Sequence, residues 1–262
     1  MRVIVVLGHV LDPRGIAVNR RAGRVFINRR EYILQPADRC ALEAALRIKD
    51  EMPAEVVVLP RSPLPDDDVL RQALATGADR AVYLAGDGLA AADDAAMARL
   101  LAAAVERLGG ADLILTGATT LDTGQGQLGL RLAEALGWPH VADAWALKTS
   151  DDRLEVVRQE GAGYAVLEAA LPVMVTVAPG ALEPRYPDGA RLINIYRGQG
   201  EVAAALETWD AADLVDADAL QPLLERRGQE FPPERERGVR ASGGLEEMAR
   251  SAADALRRQV RV

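Results

Sequence analysis

The chain has 262 residues with a formal net charge of −8, a balance that argues against general nucleic-acid binding, which needs clustered cations. Hydrophobic residues make up 49%, enough for a globular core, while one cysteine and two histidines leave no internal disulfide and little for a metal site. No apolar run reaches the roughly 18 residues of a membrane span, and the opening MRVIVVLGHV lacks the regions of a secretion signal, so a cytoplasmic protein not embedded in a membrane is expected.

RVIVVLG, residues 2–8, reads as a buried strand. PADRCALEAALRIKDEM (36–52) then opens with Pro36 and places Ala37, Cys40, Ala41, Ala44, Ala45 and Ile48 on one helical face. Asp38 lies in its first turn, where a carboxylate suits the helix dipole. The strand EVVVL, the helix PDDDVLRQALATGA, the strand RAVYL and an alanine-rich helix from about Ala92 to Leu108 follow. The strand ADLILTG leads into LDTGQGQLGLRLAEALGW (121–138), where another helix begins. Four repeats of strand then helix predict a doubly wound, mostly parallel α/β sheet with helices on both faces.

After Pro139 the stretches VADAWAL, RLEVVRQ, GYAVLEAAL and PVMVTVA alternate with period two and have no helices between them, which predicts an antiparallel extension of the sheet. From about Gly198 the chain turns polar, with FPPERERG as a linker and LEEMARSAADALRRQV as a final amphipathic helix. The expected division is a domain over 1–197 and a C-terminal arm over 198–262.

In such a sheet ligands sit beyond the carboxyl ends of the strands, at the switch in strand order. Four segments qualify: Gly8 and His9, Gln35 to Asp38, Pro60 and Arg61, and Gly117 to Gly129. Glycine-rich backbone ahead of a helix lets N–H groups approach a phosphate, with Gln125 and Gln127 as amide contacts and Asp122 for a ribose hydroxyl or a turn cap. The stretch is not a P-loop, since no Gly-Lys-Ser/Thr follows, and it stands after the fourth strand rather than the first. An ordinary turn with an N-cap accounts for the same letters. His9 is more often a plain hydrogen-bonder, Cys40 reads as core, and Asp66, Asp67 and Asp68 read as dipole complements rather than a metal site. No catalytic constellation stands out.

The chain resembles the β subunit of electron transfer flavoprotein over nearly its whole length. The resemblance is carried by QPADRCALEAALRIKDE, LRQALATGADRAVYL, DLILTG followed by LDTGQGQLG, LPVMVTV, LEPRYP and the closing PPERERG…LEEMARSAADAL. It implies an adenine-nucleotide-binding type of fold and an electron-carrier subunit without bond chemistry of its own. It also implies a heterodimer with an α subunit that carries FAD, and an AMP in this subunit, or a second FAD in electron-bifurcating members. The redox partners it implies are a dehydrogenase and a quinone reductase. Its nucleotide-binding pattern falls on Val6, Gly8, Gln35, Pro36, Ala37, Asp38 and Arg61, and on Asp122, Thr123, Gly124, Gln125, Gly126, Gln127, Leu128 and Gly129. Its partner-recognition loop falls on Glu183, Pro184, Arg185 and Tyr186, and its tail implies an arm that embraces the α subunit.

The chain departs from that pattern at several positions. Gly8 stands where a basic residue is usual, Ala118-Thr119-Thr120 replace a basic residue, Gln and a small residue, and Gly124 replaces an acid. Gln35 replaces Asn, and Gly189 stands near where an apolar anchor is expected. Two other classes on the same kind of fold are a stand-alone nucleotide sensor, which the tail resemblance disfavours, and a nucleotide hydrolase, for which no base or metal set is present.

Overall fold

The first strand, β1 (Arg2–Leu7), is apolar at five successive positions, Val3 to Leu7, all fully buried. A strand that is apolar on both faces must be covered on both faces, and the rest of the fold supplies the covers. The computed structural model describes residues 1–64, 66–150, 152–225, 227–228, 230–233, 238 and 240–259.

Two small antiparallel pairs follow β1: β2 (His9–Leu11) with β5 (Tyr32–Leu34), and β3 (Ile16–Asn19) with β4 (Arg24–Ile27). The winding then runs α1 (Pro36–Glu51), β6 (Glu55–Pro60), α2 (Asp68–Thr76), β7 (Arg80–Ala85), α3 (Asp94–Arg107), β8 (Leu113–Gly117) and α4 (Gln127–Leu136). The second half contains β9 (His140–Ser150), β10 (Arg153–Glu160), β11 (Gly163–Ala170), β12 (Val173–Val177), α5 (Gly189–Tyr196), α6 (Gly200–Ala204) and β13 (Leu206–Asp210). The strands form one nine-stranded sheet in the order β11-β10-β9-β12-β8-β1-β6-β7-β13.

Strand pleating divides the core. Val3, Val5 and Leu7 point to one face, where Ala41, Ala45 and Leu46 of α1 and Leu70 and Leu74 of α2 cover them. Ile4 and Val6 point to the other, against Leu100 and Leu101 of α3 and Leu128 and Leu132 of α4. Each such side chain contributes about 1.5–3 kcal/mol when fully buried. Cys40 is buried in the first cluster, as expected of a small apolar residue. Pro36 occupies the first turn of α1, and Asp93 caps α3 by accepting from Ala95 and Ala96 N–H at 3.1 and 2.9 Å.

The predicted parallel half stands as expected, with β1 flanked in parallel by β6 and β8. The antiparallel extension is β9, β10 and β11 alone. The PVMVTV stretch is a correction: β12 pairs in parallel with both β8 and β9 and is buried at every position. Its apolar run marks a central strand, which the small Thr176 disguised as alternation. The hairpin strands within 9–34 carried no apolar periodicity, because β3 and β4 are largely exposed.

The larger compact unit comprises residues 1–19 and 24–226. It reaches past the expected boundary at 197, since β13 pairs in parallel with β7 as an edge strand. The smaller unit comprises 20–23 and 227–262 and contains α7 (Leu245–Gln259), with Glu246 and Glu247 in its first turn and Arg257 and Arg258 in its last. That charge order complements the helix dipole. Among the described residues, no helix is long and apolar enough to cross a membrane.

An ion-pair cluster ties the segment after β12 to α1. Arg185 donates through Nε to Glu43 Oε2 at 2.9 Å and through Nη2 to Asp50 Oδ2 at 2.7 Å. Burial raises the Glu43 carboxyl, but hydrogen bonds from Arg185 and Arg47 outweigh it and hold the group below its ordinary range. A depressed carboxylate stabilises the fold above its unfolded-state pKa and loses that contribution as pH falls. Arg185→Met is therefore expected to lower stability by about 1–2 kcal/mol at neutral pH, because Arg185 is partly solvated. Urea denaturation at about pH 7 and about pH 3.5 should show the difference from wild type shrinking at the lower pH.

Candidate functional site

The switch in strand order lies between β1 and β8, where the chain leaves β1 toward β6 and returns on the other side. The loops after β1, β6 and β8 converge there on Asp38, which is fully buried in the first turn of α1. Asp38 Oδ2 accepts from Gly8 N–H at 2.8 Å and from Arg61 Nε at 3.2 Å, and Oδ1 accepts from Gly117 N–H at 2.7 Å. Arg61, also buried, donates through Nη2 to Thr116 Oγ1 at 2.7 Å and to the Gly117 carbonyl at 2.6 Å. Burial raises the Asp38 carboxyl above its ordinary range, against the pull of the Arg61 guanidinium and of the Gly117 and Gly8 amides.

Gln35, just before α1, reaches across to the loop after β8. Its side-chain carbonyl accepts from Leu121 N–H at 2.9 Å, and its amide donates to Asp122 Oδ1 at 3.4 Å. Asp122 Oδ1 also accepts from Thr123 N–H at 2.8 Å. Burial pushes the Asp122 carboxyl up, but these donors outweigh it and leave the group below its ordinary range. The turn closes with Gly124 N–H donating to the Thr120 carbonyl at 3.0 Å, with Gly124 at φ +68°.

Two other glycines answer to the chain itself. A Cβ on Gly126 would stand 2.1 Å from the Ala118 carbonyl oxygen, and one on Gly129 would meet Met174, Thr116 and Thr176 at 2.7–2.9 Å. Their smallness is thus required for loop closure and for seating α4 on the sheet, whatever the cleft holds.

Beyond these groups opens a cleft of about 650 Å³, within the range of small-molecule sites. Of the predicted nucleotide-contact residues, Gln35, Arg61, Asp122, Thr123, Gln125 and Gln127 line it. Val6, Ala37, Asp38, Leu128 and Gly129 lie in the core behind, with Gly8 buried beside Arg61 and Asp38. Pro36, Gly124 and Gly126 shape the loops and do not line the cleft wall. Gly126 supplies no side-chain cap to the N-terminus of α4, and Gln125 and Gln127 on either side of it line the cleft.

The rest of the lining was not read from the sequence. It includes Ala90 to Ala95, with Asp93 and Asp94, and Arg131, Pro222 and Leu224. Two acids opening an alanine-rich helix look like dipole complements in sequence, and Asp93 does act as a cap. His9 also lines the cleft, with its ring edge-on to Tyr32 at 4.8 Å and its buried Nδ1 without a partner among the described residues. Burial lowers its pKa, against Asp66 and Asp122, so the imidazole stands neutral at pH 7. Among the described residues no group of acids, histidines or cysteines is arranged to hold a metal ion. In the expected partner loop, Arg185 is engaged with Glu43 and Asp50, and Tyr186 is 88% exposed.

The sheet and its cleft define a doubly wound α/β protein with a ligand-sized site at the switch point. Residues 23–214 match the family described as Electron transfer flavoprotein domain. The chain is 34% identical over 197 residues to the caffeyl-CoA reductase-Etf complex subunit CarD of Acetobacterium woodii, covering 75% of each chain. It is 32% identical to an electron transfer flavoprotein subunit beta of Megasphaera elsdenii, over 71% of this chain and 72% of that one. A subunit beta of Syntrophomonas wolfei is 28% identical over 100% of this chain and 98% of its own. The chain belongs to the electron transfer flavoprotein family.

Removing Asp38 leaves Arg61 buried without its counter-charge and two amides without an acceptor. Asp38→Ala is expected to cost about 3–5 kcal/mol in urea denaturation, as for other broken buried pairs. The double variant Asp38→Leu, Arg61→Leu should recover part of that loss, because it removes both buried charges but leaves the Gly8 and Gly117 amides unsatisfied.

Proposed function

We propose that the chain is the β subunit of a heterodimeric electron transfer flavoprotein, and that its cleft holds AMP without turnover. The α subunit carries the redox FAD, and the assembled pair shuttles electrons in the cytoplasm from a dehydrogenase to a membrane quinone reductase or another acceptor. The observation that carries this reading is the cleft itself. It lies at the switch point, and an uncapped α4 terminus is available to a phosphate. Gln35, Thr120, Thr123, Gln125 and Gln127 offer polar side chains to a ribose or a base. Arg61 adds a cation fixed by its bonds to Asp38, Thr116 and Gly117.

The role of this subunit is to bind and hold rather than to transform. On the cleft wall Asp93 caps α3, and Asp122 accepts from Thr123 and Gln35. In this reading the arm of the smaller unit, with the apolar Leu245 and Leu256 of α7 both exposed, embraces the α subunit. The loop with Glu183, Pro184, Arg185 and Tyr186 meets the redox partner, and Arg185 is its anchor to α1 while Tyr186 is its free tip. The similarity to a subunit of a caffeyl-CoA reductase complex favours a second reading, in which FAD takes the cleft and the pair bifurcates electrons.

Co-expression with the α-subunit gene, purification and denaturation would release the bound nucleotides for counting by chromatography with mass detection. One AMP and one FAD per heterodimer is the expected result. Two FAD and no AMP would replace the first reading by the second, and failure to form a complex would overturn both.

A further inference from the structure

The carboxylates on the cleft wall differ in how they are engaged. Asp93, Asp94 and Asp122 line it together with the guanidiniums of Arg61 and Arg131. Arg61 is already committed to Asp38. Asp93 is fully used: Oδ1 accepts from Ala95 and Ala96 N–H, and Oδ2 accepts from Leu223 and Leu224 N–H at 2.7 and 3.0 Å. Asp122 accepts from Thr123 and Gln35. Asp94 is different. It is half-buried on the cleft wall, and among the described residues no donor reaches its carboxylate. Burial raises its pKa, with Arg61 and Arg131 pulling the other way and Asp93 and Asp122 adding to the rise.

Two helix N-termini open on this cleft, and they are not equivalent. The first turn of α4 has no side-chain cap and can receive an anion. The first turn of α3 is already filled by the carboxylate of Asp93, with Asp94 beside it. One phosphoryl group therefore finds a receptive terminus, and a second meets the carboxylates that open α3.

We propose that Asp94 sets the charge of the occupant: its free carboxylate accepts from hydroxyl or amine donors of a nucleoside and turns away a second phosphoryl group, so that the cleft selects a mononucleotide. The inference rests on the nucleotide reading of the cleft and adds to it the residue that makes the selection. Asp94 is a specificity determinant here. It also contributes to the dipole of α3 from the first turn, and loss of that contribution alone would lower stability without changing which nucleotide is kept.

The test is competition during refolding. The assembled complex, unfolded to release its nucleotide, is refolded with equimolar AMP and ADP, and the retained nucleotides are counted. Wild type should retain AMP over ADP by about tenfold, a difference of about 1.4 kcal/mol. Asp94→Asn and Asp94→Ser should both reduce that ratio to about twofold or less, since each removes the charge. Equal retention by wild type, or a ratio unchanged in both variants, would overturn the role of Asp94 and leave the nucleotide cleft standing. Retention of neither nucleotide by refolded wild type would overturn the nucleotide reading and this inference together.

Discussion

The buried pair of Asp38 and Arg61 is the joint on which the ligand end of this sheet depends. Doubly wound sheets separate the ends of their central strands at the switch point, and something must hold those ends in register without filling the space. Here one carboxylate takes the amides of Gly8 and Gly117, and the guanidinium takes the Gly117 carbonyl and the Thr116 hydroxyl. The ends of β1, β6 and β8 and the first turn of α1 thereby share one network. Isolated buried ion pairs add little net stability, because desolvation offsets their attraction. This pair satisfies backbone groups as well, so its loss would leave several polar atoms stranded at once.

The loop after β8 inherits its shape from that joint. Gln35 precedes the helix that carries Asp38, and it pins Leu121 and Asp122 through its side-chain amide. The loop then closes on itself through Thr120, Gly124 and Gln125 and delivers the start of α4 to the cleft. The glycines at 126 and 129 belong to this construction. Gly126 clears the Ala118 carbonyl, and Gly129 lets α4 sit on Thr116, Met174 and Thr176. Close approach of backbone is needed here, as a glycine-rich turn suggests, and at Gly126 and Gly129 the protein's own chain requires it.

The sequence displayed what repeats locally. Continuous apolar runs marked β1 and β6, and the face of Ala37, Cys40, Ala41, Ala44, Ala45 and Ile48 marked α1, because burial on one or two sides leaves a periodic trace. Position in the sheet leaves none. PVMVTV reads the same whether it turns back beside β11 or crosses to pair with β8, and only distant partners decide. The site was legible on one side for the same reason. Strand ends and a glycine-rich turn announced Gln35, Arg61 and the loop after β8, whereas Asp94 is an ordinary letter at an ordinary helix start. Its distinction is that no donor among the described residues reaches it, a property of the assembled cleft.

The departure at Gly8 takes on a physical meaning once Arg61 is seen beside it. The resemblance places a basic residue after the first strand, where this chain has none. A Cβ at position 8 would stand 3.0 Å from Arg61 Cδ and 3.3 Å from Asp38 Oδ2, so a larger residue there would require these side chains to give by a few tenths of an ångström. In this chain the cation beside the end of β1 is Arg61, which follows β6 and is buried. An exposed lysine or arginine must be ordered when a ligand arrives, at a cost of about 0.5–1.5 kcal/mol for each long side chain immobilised. Arg61 is ordered already by Asp38, Thr116 and Gly117, so a ligand that meets it loses little side-chain entropy. Its charge is also partly spent on Asp38, which weakens its hold on an anion. The guanidinium at the end of β6 is thus held in place by the protein itself, before any ligand arrives.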